Sequence, residues 1–187
     1  MNIVPAVKNA QKRFVVVETK SNSGSGVIIA TGIVMTCFHC LHTDSEIKVN
    51  DKDAEVVAVD AMHDLVLLSV ETEDVETVEL GQVSLGEQIL SVANPMSMSG
   101  ALLFGRVIFL TDKRIVHDIH GTPGVSGSGL FNFKGELAGI NHSVLGTKHI
   151  GSHFTIAIPA EKFQKIISQV FHIVQPTEDE VEKYGVK

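Results

Sequence analysis

Residues 124–130 read Gly-Val-Ser-Gly-Ser-Gly-Leu, so three glycines and two serines fall within seven residues. Glycine tolerates backbone conformations that other residues avoid, and it lets another chain approach the backbone closely. A nucleophilic serine needs both properties, because backbone N–H groups beside it must point together at a developing oxyanion. A Gly/Ser cluster is also typical of an ordinary loop. Ser126 is therefore a candidate nucleophile only if a base and an acid occur elsewhere in the chain.

Two other residues complete a candidate catalytic set. His39 follows the apolar segment 33–37, and Asp64 stands directly before the apolar run 65–70. Each has a simpler interpretation, since a histidine at a strand end is often structural and an aspartate there often caps a turn. The order histidine, aspartate, serine is nevertheless the chymotrypsin order, and it differs from the orders of subtilisin and the α/β-hydrolases. This order makes His39, Asp64 and Ser126 candidates for base, acid and nucleophile.

Short apolar runs separated by Gly, Asn, Asp and Ser dominate the chain and predict an all-β fold. The predicted strands cover residues 14–19, 27–30, 33–37, 47–49, 55–59, 65–70, 88–92, 102–110, 130–133, 137–141 and 153–158. A break between two β lobes is expected near residues 70–80, where an acidic stretch interrupts the apolar pattern. A single helix is predicted after Pro159, because Phe163, Ile166 and Val170 recur at helical spacing.

The composition limits the classes of partner. The chain has 187 residues and a formal net charge of −7, whereas nucleic-acid-binding domains are usually basic, so no nucleic-acid partner is expected. No apolar run approaches the roughly 18 residues of a membrane span. The first ten residues lack the apolar core of a signal peptide, and two cysteines are too few for a disulfide framework. A cytoplasmic location is therefore predicted, unless the chain has been excised from a precursor.

The segments around the three candidates resemble those of trypsin/chymotrypsin-like serine proteases, and among these the HtrA/Deg type. The chain is also similar to glutamyl endopeptidases and to viral chymotrypsin-like proteases. The resemblance lies in the glycine-rich strand before the histidine, the segments around histidine and aspartate, the approach to an Asn-Pro pair, the nucleophile segment and the strand after it (residues 24–29, 36–40, 64–68, 85–95, 124–128 and 135–141). Ala93 departs from the glycine that is usual before Asn-Pro.

The resemblance implies two six-stranded antiparallel β-barrels with a C-terminal helix. It places a protease domain at residues 1–175, with barrels at 14–75 and 80–158, the helix at 160–172 and an acidic tail at 176–187. It also implies that His39 is the general base, that Asp64 orients it, and that Ser126 attacks a peptide carbonyl. The backbone N–H groups of Gly124 and Ser126 would hold the oxyanion, with no metal or organic cofactor.

The sequence is compatible with more than one substrate specificity. By resemblance, the pocket for P1, the substrate residue on the acyl side of the cleaved bond, is lined by His120, Gly121, Thr122, Asn141, His142 and Ser143. No aspartate occupies position 120, so lysine or arginine at P1 is not expected. A small-to-medium apolar P1 residue is one interpretation. An acidic or amide P1 residue is the other interpretation. In that case Asn141 takes the position of the residue that recognises the P1 side chain, unless a bulge shifts His142 there.

Two further functions are compatible with the sequence. The triad residues could belong to a peptide-binding module with a collapsed oxyanion loop, because the sequence does not determine the orientation of that loop's peptide planes. Cys37 and Cys40 flank His39 in a C-x-x-C pattern, which also occurs in zinc and redox sites. Two small buried side chains beside the histidine explain this pattern more simply. The expected partner is a protein or peptide substrate, and the sequence sets no oligomeric state.

Overall fold

The structure, a computed structural model, describes residues 2–41, 46–146 and 154–171. Two antiparallel sheets and two α-helices make up this part of the chain. The strands are β1 (Phe14–Thr19), β2 (Ser23–Ala30), β3 (Ile33–Cys37), β4 (Ile47–Val49), β5 (Lys52–Asp53), β6 (Glu55–Asp60), β7 (Leu65–Ser69), β8 (Gln88–Ala93), β9 (Ala101–Leu110), β10 (Ile115–His120), β11 (Gly129–Asn132), β12 (Leu137–Leu145) and β13 (Phe154–Pro159). The helices are α1 (Val4–Arg13) and α2 (Gln164–Phe171), and 3₁₀ turns span Phe38–Cys40, Pro95–Ser97 and Ala160–Lys162.

The first sheet has seven strands in the order β5-β4-β1-β2-β3-β7-β6. Alternation in β1 buries Val15 and Val17, as expected of a strand with one side toward the core. The central strands β3 and β7 are buried on both faces along most of their length. The predicted N-terminal lobe is confirmed, but its sheet has seven strands and is open, whereas six strands in a closed barrel were expected. Its edge strands, β5 and β6, do not pair with each other in the part of the chain that the structure describes.

The second sheet is a closed barrel of six strands in the order β10-β13-β12-β11-β8-β9. Antiparallel pairing of β9 with β10 closes it. This confirms the predicted C-terminal barrel. Strand β10 has no counterpart among the predicted strands, because histidine and aspartate interrupt its apolar pattern. Pairing with β9 and β13, rather than any local pattern, makes this segment a strand.

Helix α1 was not predicted, because most of its residues are polar or small. Pro5 stands in its first turn, where a missing N–H costs nothing. Ala6 and Ala10, one turn apart, are buried, and the helix contacts β8 and β11 of the barrel. The guanidinium of Arg13 donates to the carbonyl oxygen of Ile28 in β2 at 3.1 Å. The helix therefore connects the two sheets.

The predicted C-terminal helix is confirmed, although it begins with the 3₁₀ turn and continues as α2. Phe163 and Ile166 are fully buried in one apolar cluster that also contains Phe131 of β11 and Leu67 of β7. This cluster packs the helix against the junction of the sheets. Among the described residues, no helix is both long and apolar enough to span a bilayer. The acidic tail predicted at residues 176–187 lies outside the described part of the chain.

Candidate active site

The three candidate catalytic residues lie at the junction between the two sheets. His39 is in the 3₁₀ turn after β3, Asp64 is in the turn between β6 and β7, and Ser126 is in the loop before β11. The backbone N–H of Ser25 in β2 donates to the carbonyl oxygen of Ser126 at 2.9 Å, which ties this loop to the first sheet. The backbone N–H of Phe38 donates to the carbonyl oxygen of Asp64 at 2.9 Å, so the other two residues are also held together.

Two hydrogen bonds join His39 to Asp64. The carboxylate Oδ1 accepts the backbone N–H of His39 at 2.8 Å, and Oδ2 lies 2.5 Å from Nδ1 of the imidazole. With the proton on Nδ1, the other ring nitrogen, Nε2, is the basic one, as a general base requires. The hydrogen bond to Asp64 raises the pKa of His39, and Cys40 adds to this effect. Burial raises the pKa of Asp64, but hydrogen bonds from His142 and His39 outweigh burial and lower it.

A second imidazole contacts the same carboxylate. Nε2 of His142 lies 3.0 Å from Oδ2 of Asp64, and its ring packs edge-on against His39 with centroids 5.6 Å apart. Nδ1 of His142 lies 2.8 Å from the hydroxyl of Ser143, which can donate to it. Sequence reasoning assigned His142 and Ser143 to the specificity pocket and missed the contact with Asp64. Only the packing of β12 beside β3 brings these groups together.

The hydroxyl of Ser126 faces the second sheet. Its Oγ donates to the carbonyl oxygen of His142 at 3.2 Å, its one side-chain hydrogen bond within the described residues. The polar side-chain atom beside Nε2 of His39 is Sγ of Cys40, at 3.9 Å. Serine side chains rotate readily between staggered positions, and catalytic hydrogen bonds often form only when substrate binds. Ser126 must therefore rotate its side chain to reach Nε2 of His39.

The peptide between Pro123 and Gly124, just before Ser126, has a defined orientation. Gly124 has φ of +94°, and a Cβ at this position would lie 2.0 Å from the carbonyl oxygen of Asn94, so only glycine fits. The carbonyl oxygen of Pro123 accepts the N–H of Met96 at 2.8 Å. The peptide between Pro123 and Gly124 is trans, and its C=O and N–H point in opposite directions. The N–H of Gly124 therefore points away from Met96.

The pocket residues predicted before Ser126 lie at the end of β10 and directly after it. His120 is exposed and Gly121 is buried. Thr122 is half-buried, and its hydroxyl oxygen is among the described buried polar atoms that have no hydrogen-bond partner. Gly121 lies so close to β12 that an added Cβ would be 1.9 Å from Cγ1 of Val144. The side chain of Val144 therefore occupies the space beside Gly121.

Asn141 is fully buried in a hydrogen-bond network beneath the nucleophile loop. Its amide donates to the hydroxyls of Ser91 at 3.1 Å and Ser128 at 2.9 Å, and its Oδ1 lies 2.9 Å from Nε2 of His117. Burial lowers the pKa of His117 to about 4, so this ring is neutral at pH 7. The backbone carbonyl of Asn141 also accepts the N–H of Gly127 at 2.7 Å. Asn141, predicted to line the pocket, has its side chain in the core instead of the cleft.

The two cysteines lie on either side of His39 and are free thiols. Ligand-type atoms of Cys37, His39 and Asp64 lie within 4.8 Å of one another, and such atoms can bind a metal ion. In this set, Nδ1 of His39 and the carboxylate of Asp64 are bonded to each other, which explains their proximity without an ion. The cluster is therefore accounted for by a histidine–aspartate pair with a buried thiol beside it.

A family model described as the trypsin-like peptidase domain matches residues 24–140, which include all three candidate catalytic residues. The chain belongs to the trypsin-like peptidase family. This peptidase domain is 30% identical over 173 residues to the serine protease HhoB of Synechocystis sp., covering 81% of this chain and 41% of HhoB. It is 30% identical over 164 residues to a DegP-like periplasmic serine endoprotease of Ectopseudomonas mendocina, covering 79% of this chain and 35% of that relative. The chain thus spans less than half the length of these relatives.

A solved structure shares the fold of this trypsin-like peptidase domain. The crystal structure of the serine endoprotease from Yersinia pestis superposes with a TM-score of 0.81 at 22% sequence identity. The superposition covers 94% of this chain and 68% of that chain. The all-β, two-lobed fold that the sequence predicted is therefore confirmed by comparison as well as by the strand order.

The cytoplasmic location predicted for this peptidase domain is wrong. The relatives from Ectopseudomonas mendocina and Halomonas elongata are both named periplasmic serine endoproteases. The prediction relied on the first ten residues, which lack an apolar leader. Because this chain matches only 35% of the length of the Ectopseudomonas mendocina relative, its first residues do not report on the leader segment of the protein.

Proposed function

We propose that this peptidase domain is a serine endopeptidase that cleaves peptide bonds through a His39–Asp64–Ser126 triad and an acyl-enzyme. The observation that carries the proposal is the pair of hydrogen bonds between Asp64 and His39, at 2.8 Å and 2.5 Å. Sγ of Cys40 contacts both Nε2 of His39, at 3.9 Å, and the carbonyl oxygen of Ser126, at 3.7 Å. Nε2 therefore faces the nucleophile loop, which supports its role as the base.

The proposed reaction begins when the hydroxyl of Ser126 turns from the His142 carbonyl to Nε2 of His39. His39 takes the hydroxyl proton as Oγ attacks the substrate carbonyl carbon, and Asp64 stabilises the imidazolium that forms. His39 then gives this proton to the leaving amine, which departs and leaves an acyl group on Oγ. A water molecule that is deprotonated by the same nitrogen hydrolyses the acyl-enzyme and restores Ser126.

The backbone N–H groups of Gly124 and Ser126 are the proposed oxyanion donors. The hydrogen bond from Met96 holds the Pro123 carbonyl, which keeps the N–H of Gly124 on the opposite side of the peptide plane. The competing function, a peptide-binding module with a collapsed loop, would require this peptide to be reversed. The fixed orientation of this peptide supports the enzyme, because an oxyanion donor must be held in place before the reaction, and one such donor contributes about 10²–10³ in kcat.

We propose a small-to-medium apolar residue at P1. The side chain of Val144 lies against Gly121 and leaves little room for a large substrate side chain between them. An acidic or amide side chain would need a polar partner in the pocket. The imidazole of His142 already contacts Asp64, and Asn141 is buried, so neither supports that alternative. The pocket therefore favours the apolar interpretation.

The proposed site of action is outside the cytoplasm, because relatives of this chain are named periplasmic serine endoproteases. Protein or peptide chains are the proposed substrates, and the relatives' names as serine proteases support this class. The net charge of −7 argues against a nucleic-acid partner, for which a basic surface is usual.

A peptide library that varies at P1, combined with a fluorophosphonate probe, tests the proposal. The intact chain should cleave peptides with alanine or valine at P1 and should be labelled, since the probe reacts only with an activated serine. Ser126→Ala should lose both signals, with kcat lowered by roughly 10⁶. Ser128→Ala is the matched control and should still be labelled, because the Ser128 hydroxyl is buried and donates to the Val125 carbonyl at 2.6 Å.

The outcomes separate the parts of the proposal. A folded chain that neither cleaves any peptide nor reacts with the probe would favour the peptide-binding module. Labelling that survives Ser126→Ala would assign the nucleophile to another residue. Preferred cleavage after glutamate or glutamine would overturn the apolar P1 assignment and leave the endopeptidase function intact.

A further inference from the structure

Cys37 and Cys40 are reactive groups at the active site that the proposed mechanism does not use. Cys37 ends β3, and Cys40 ends the 3₁₀ turn that carries His39. Cys37 is the N-cap residue of this turn, and an N-cap side chain lies beside the residue three positions further along the chain, which here is Cys40. The two thiols accordingly interact, and this interaction contributes to the pKa shift of each. Both cysteines are free and buried, so the pair is available for oxidation to a disulfide.

Both sulfur atoms also contact the second sheet, Cys40 through the loop of Ser126 and Cys37 through strand β12. Sγ of Cys40 lies 3.9 Å from Nε2 of His39 and 3.7 Å from the carbonyl oxygen of Ser126. Sγ of Cys37 donates to the carbonyl oxygen of Asn141 at 3.3 Å. The position of each thiol therefore depends on both sheets, and His39 stands between the two cysteines in the chain.

The two thiols differ in reactivity. The hydrogen bond with Cys37 lowers the pKa of Cys40 below its usual value, and this effect outweighs the opposite effect of burial. Burial raises the pKa of Cys37, which keeps it protonated. A thiolate beside a second thiol that can resolve it is typical of peroxide-sensitive cysteine pairs. Cys40 is 3% exposed, and its Sγ adjoins His39, whose side chain is 46% exposed, so a small opening beside His39 would admit a molecule as small as hydrogen peroxide.

We propose that Cys37 and Cys40 form a peroxide-sensitive dithiol, and that their disulfide is an inactive state of the active site. The inactivation rests on the proposed endopeptidase function, whereas formation of the disulfide does not. An extracytoplasmic location, which is the proposed site of action, allows such a bond to persist.

The oxidation uses one hydrogen peroxide molecule. The thiolate of Cys40 attacks one peroxide oxygen, the O–O bond breaks, and the departing hydroxide takes a proton to become water. The sulfur of Cys37 then attacks the sulfenic acid on Cys40, an S–S bond forms, and the S–O bond breaks. The departing oxygen leaves as water with the proton of Cys37. Two thiols are oxidised to a disulfide, and one peroxide is reduced to two water molecules.

Closing the disulfide changes the surroundings of the base. The two sulfur atoms must approach to about 2.0 Å, so Cys40 leaves its contacts with His39 and Ser126. Cys37 likewise leaves the carbonyl of Asn141. Because His39 lies inside the closed loop, its backbone shifts, and with it the N–H that donates to Asp64. A displacement of about 1 Å at a catalytic group can lower the rate by about a hundredfold.

Intact mass and thiol titration test the disulfide without relying on activity. The reduced chain, treated with hydrogen peroxide, should lose about 2 Da and both of its titratable thiols, and dithiothreitol should reverse both changes. Cys37→Ala cannot form the internal disulfide and should not show the loss of mass. Cys40→Ala should keep its single thiol, because burial raises the pKa of Cys37 and keeps this thiol protonated. If the intact chain keeps both thiols at peroxide concentrations that oxidise free cysteine, the proposal is wrong.

An activity assay tests whether the disulfide inactivates the enzyme. The oxidised chain should have a kcat/KM about a hundredfold below that of the reduced chain on a peptide with valine at P1, and dithiothreitol should restore it. Cys40→Ala, compared with its own untreated activity, should resist peroxide. A disulfide that leaves activity unchanged would overturn the inactive state but not the endopeptidase function. If the reduced chain cleaves nothing, the endopeptidase function fails, and the mass measurement still decides whether the dithiol exists.

Discussion

Replacing Asn141 with alanine should destabilise the protein by about 4 kcal/mol, because the change removes three buried hydrogen bonds at once. His117 would lose the acceptor of its N–H, and an unpaired buried group of this kind costs about 2 kcal/mol. Its other ring nitrogen, Nδ1, already has no partner among the described residues. Ser91 and Ser128 keep backbone acceptors for their own hydroxyls, so each loses only about 1 kcal/mol.

Thermal and urea unfolding at pH 7, followed by circular dichroism, measure this loss. For a chain of this size, about 4 kcal/mol corresponds to a decrease in Tm of roughly 8–16 °C. Gln88→Ala removes an exposed amide on the same barrel and is the control, which should change stability by less than about 0.5 kcal/mol. A loss below about 1 kcal/mol for Asn141→Ala would refute the reasoning.

A double-mutant cycle tests the origin of the loss. His117→Phe removes the N–H that Asn141→Ala would leave unpaired. The double variant should therefore be more stable, by at least about 1 kcal/mol, than the sum of the two single effects predicts. Additive effects would show that the hydrogen bond between His117 and Asn141 contributes little, whatever the total loss.

Four further predictions concern the triad, its pH dependence, the loop of Ser126 and the pair of Asp60 and His63. Asp64→Asn should lower kcat by about 10⁴, because it favours the wrong tautomer of His39, and an unchanged kcat would exclude Asp64 from the triad. Since Asp64 raises the pKa of His39 and catalysis needs the neutral ring, the acid limb of kcat/KM in the intact chain should lie above about pH 6.5. Gly127→Ala puts a Cβ 2.0 Å from a backbone carbonyl oxygen at φ of +86°, and should destabilise the fold by more than about 3 kcal/mol in urea unfolding. Burial raises the pKa of Asp60, but the hydrogen bond and charge of His63 outweigh burial and lower it. The stability from this pair should be present above about pH 3.9 and be lost as pH falls through the folded-state pKa, and Asp60→Asn should abolish this pH dependence.

Strand and loop patterns were sufficient for most of the fold. β1 and β3 have the predicted bounds, because alternating or continuous apolar residues between turn residues are local signals. Helix α1 and strand β10 were not predicted, because both depend on contacts with distant parts of the chain and not on a local pattern. Ala6 and Ala10 become a core face only against the barrel, and β10 becomes a strand only by pairing with two neighbours.

The sequence by itself determined the class of fold and the three candidate catalytic residues, because each of these residues sits in a segment whose local composition is distinctive. The surroundings of Asn141 and His142 were decided only by tertiary structure. The register between β12 and β13 shifts between Asn141 and Ser143. Neighbouring side chains on a strand point to opposite faces, so such a shift decides which of them reaches the core and which reaches Asp64. This irregularity depends on pairing with a distant strand, and no local sequence pattern encodes that pairing.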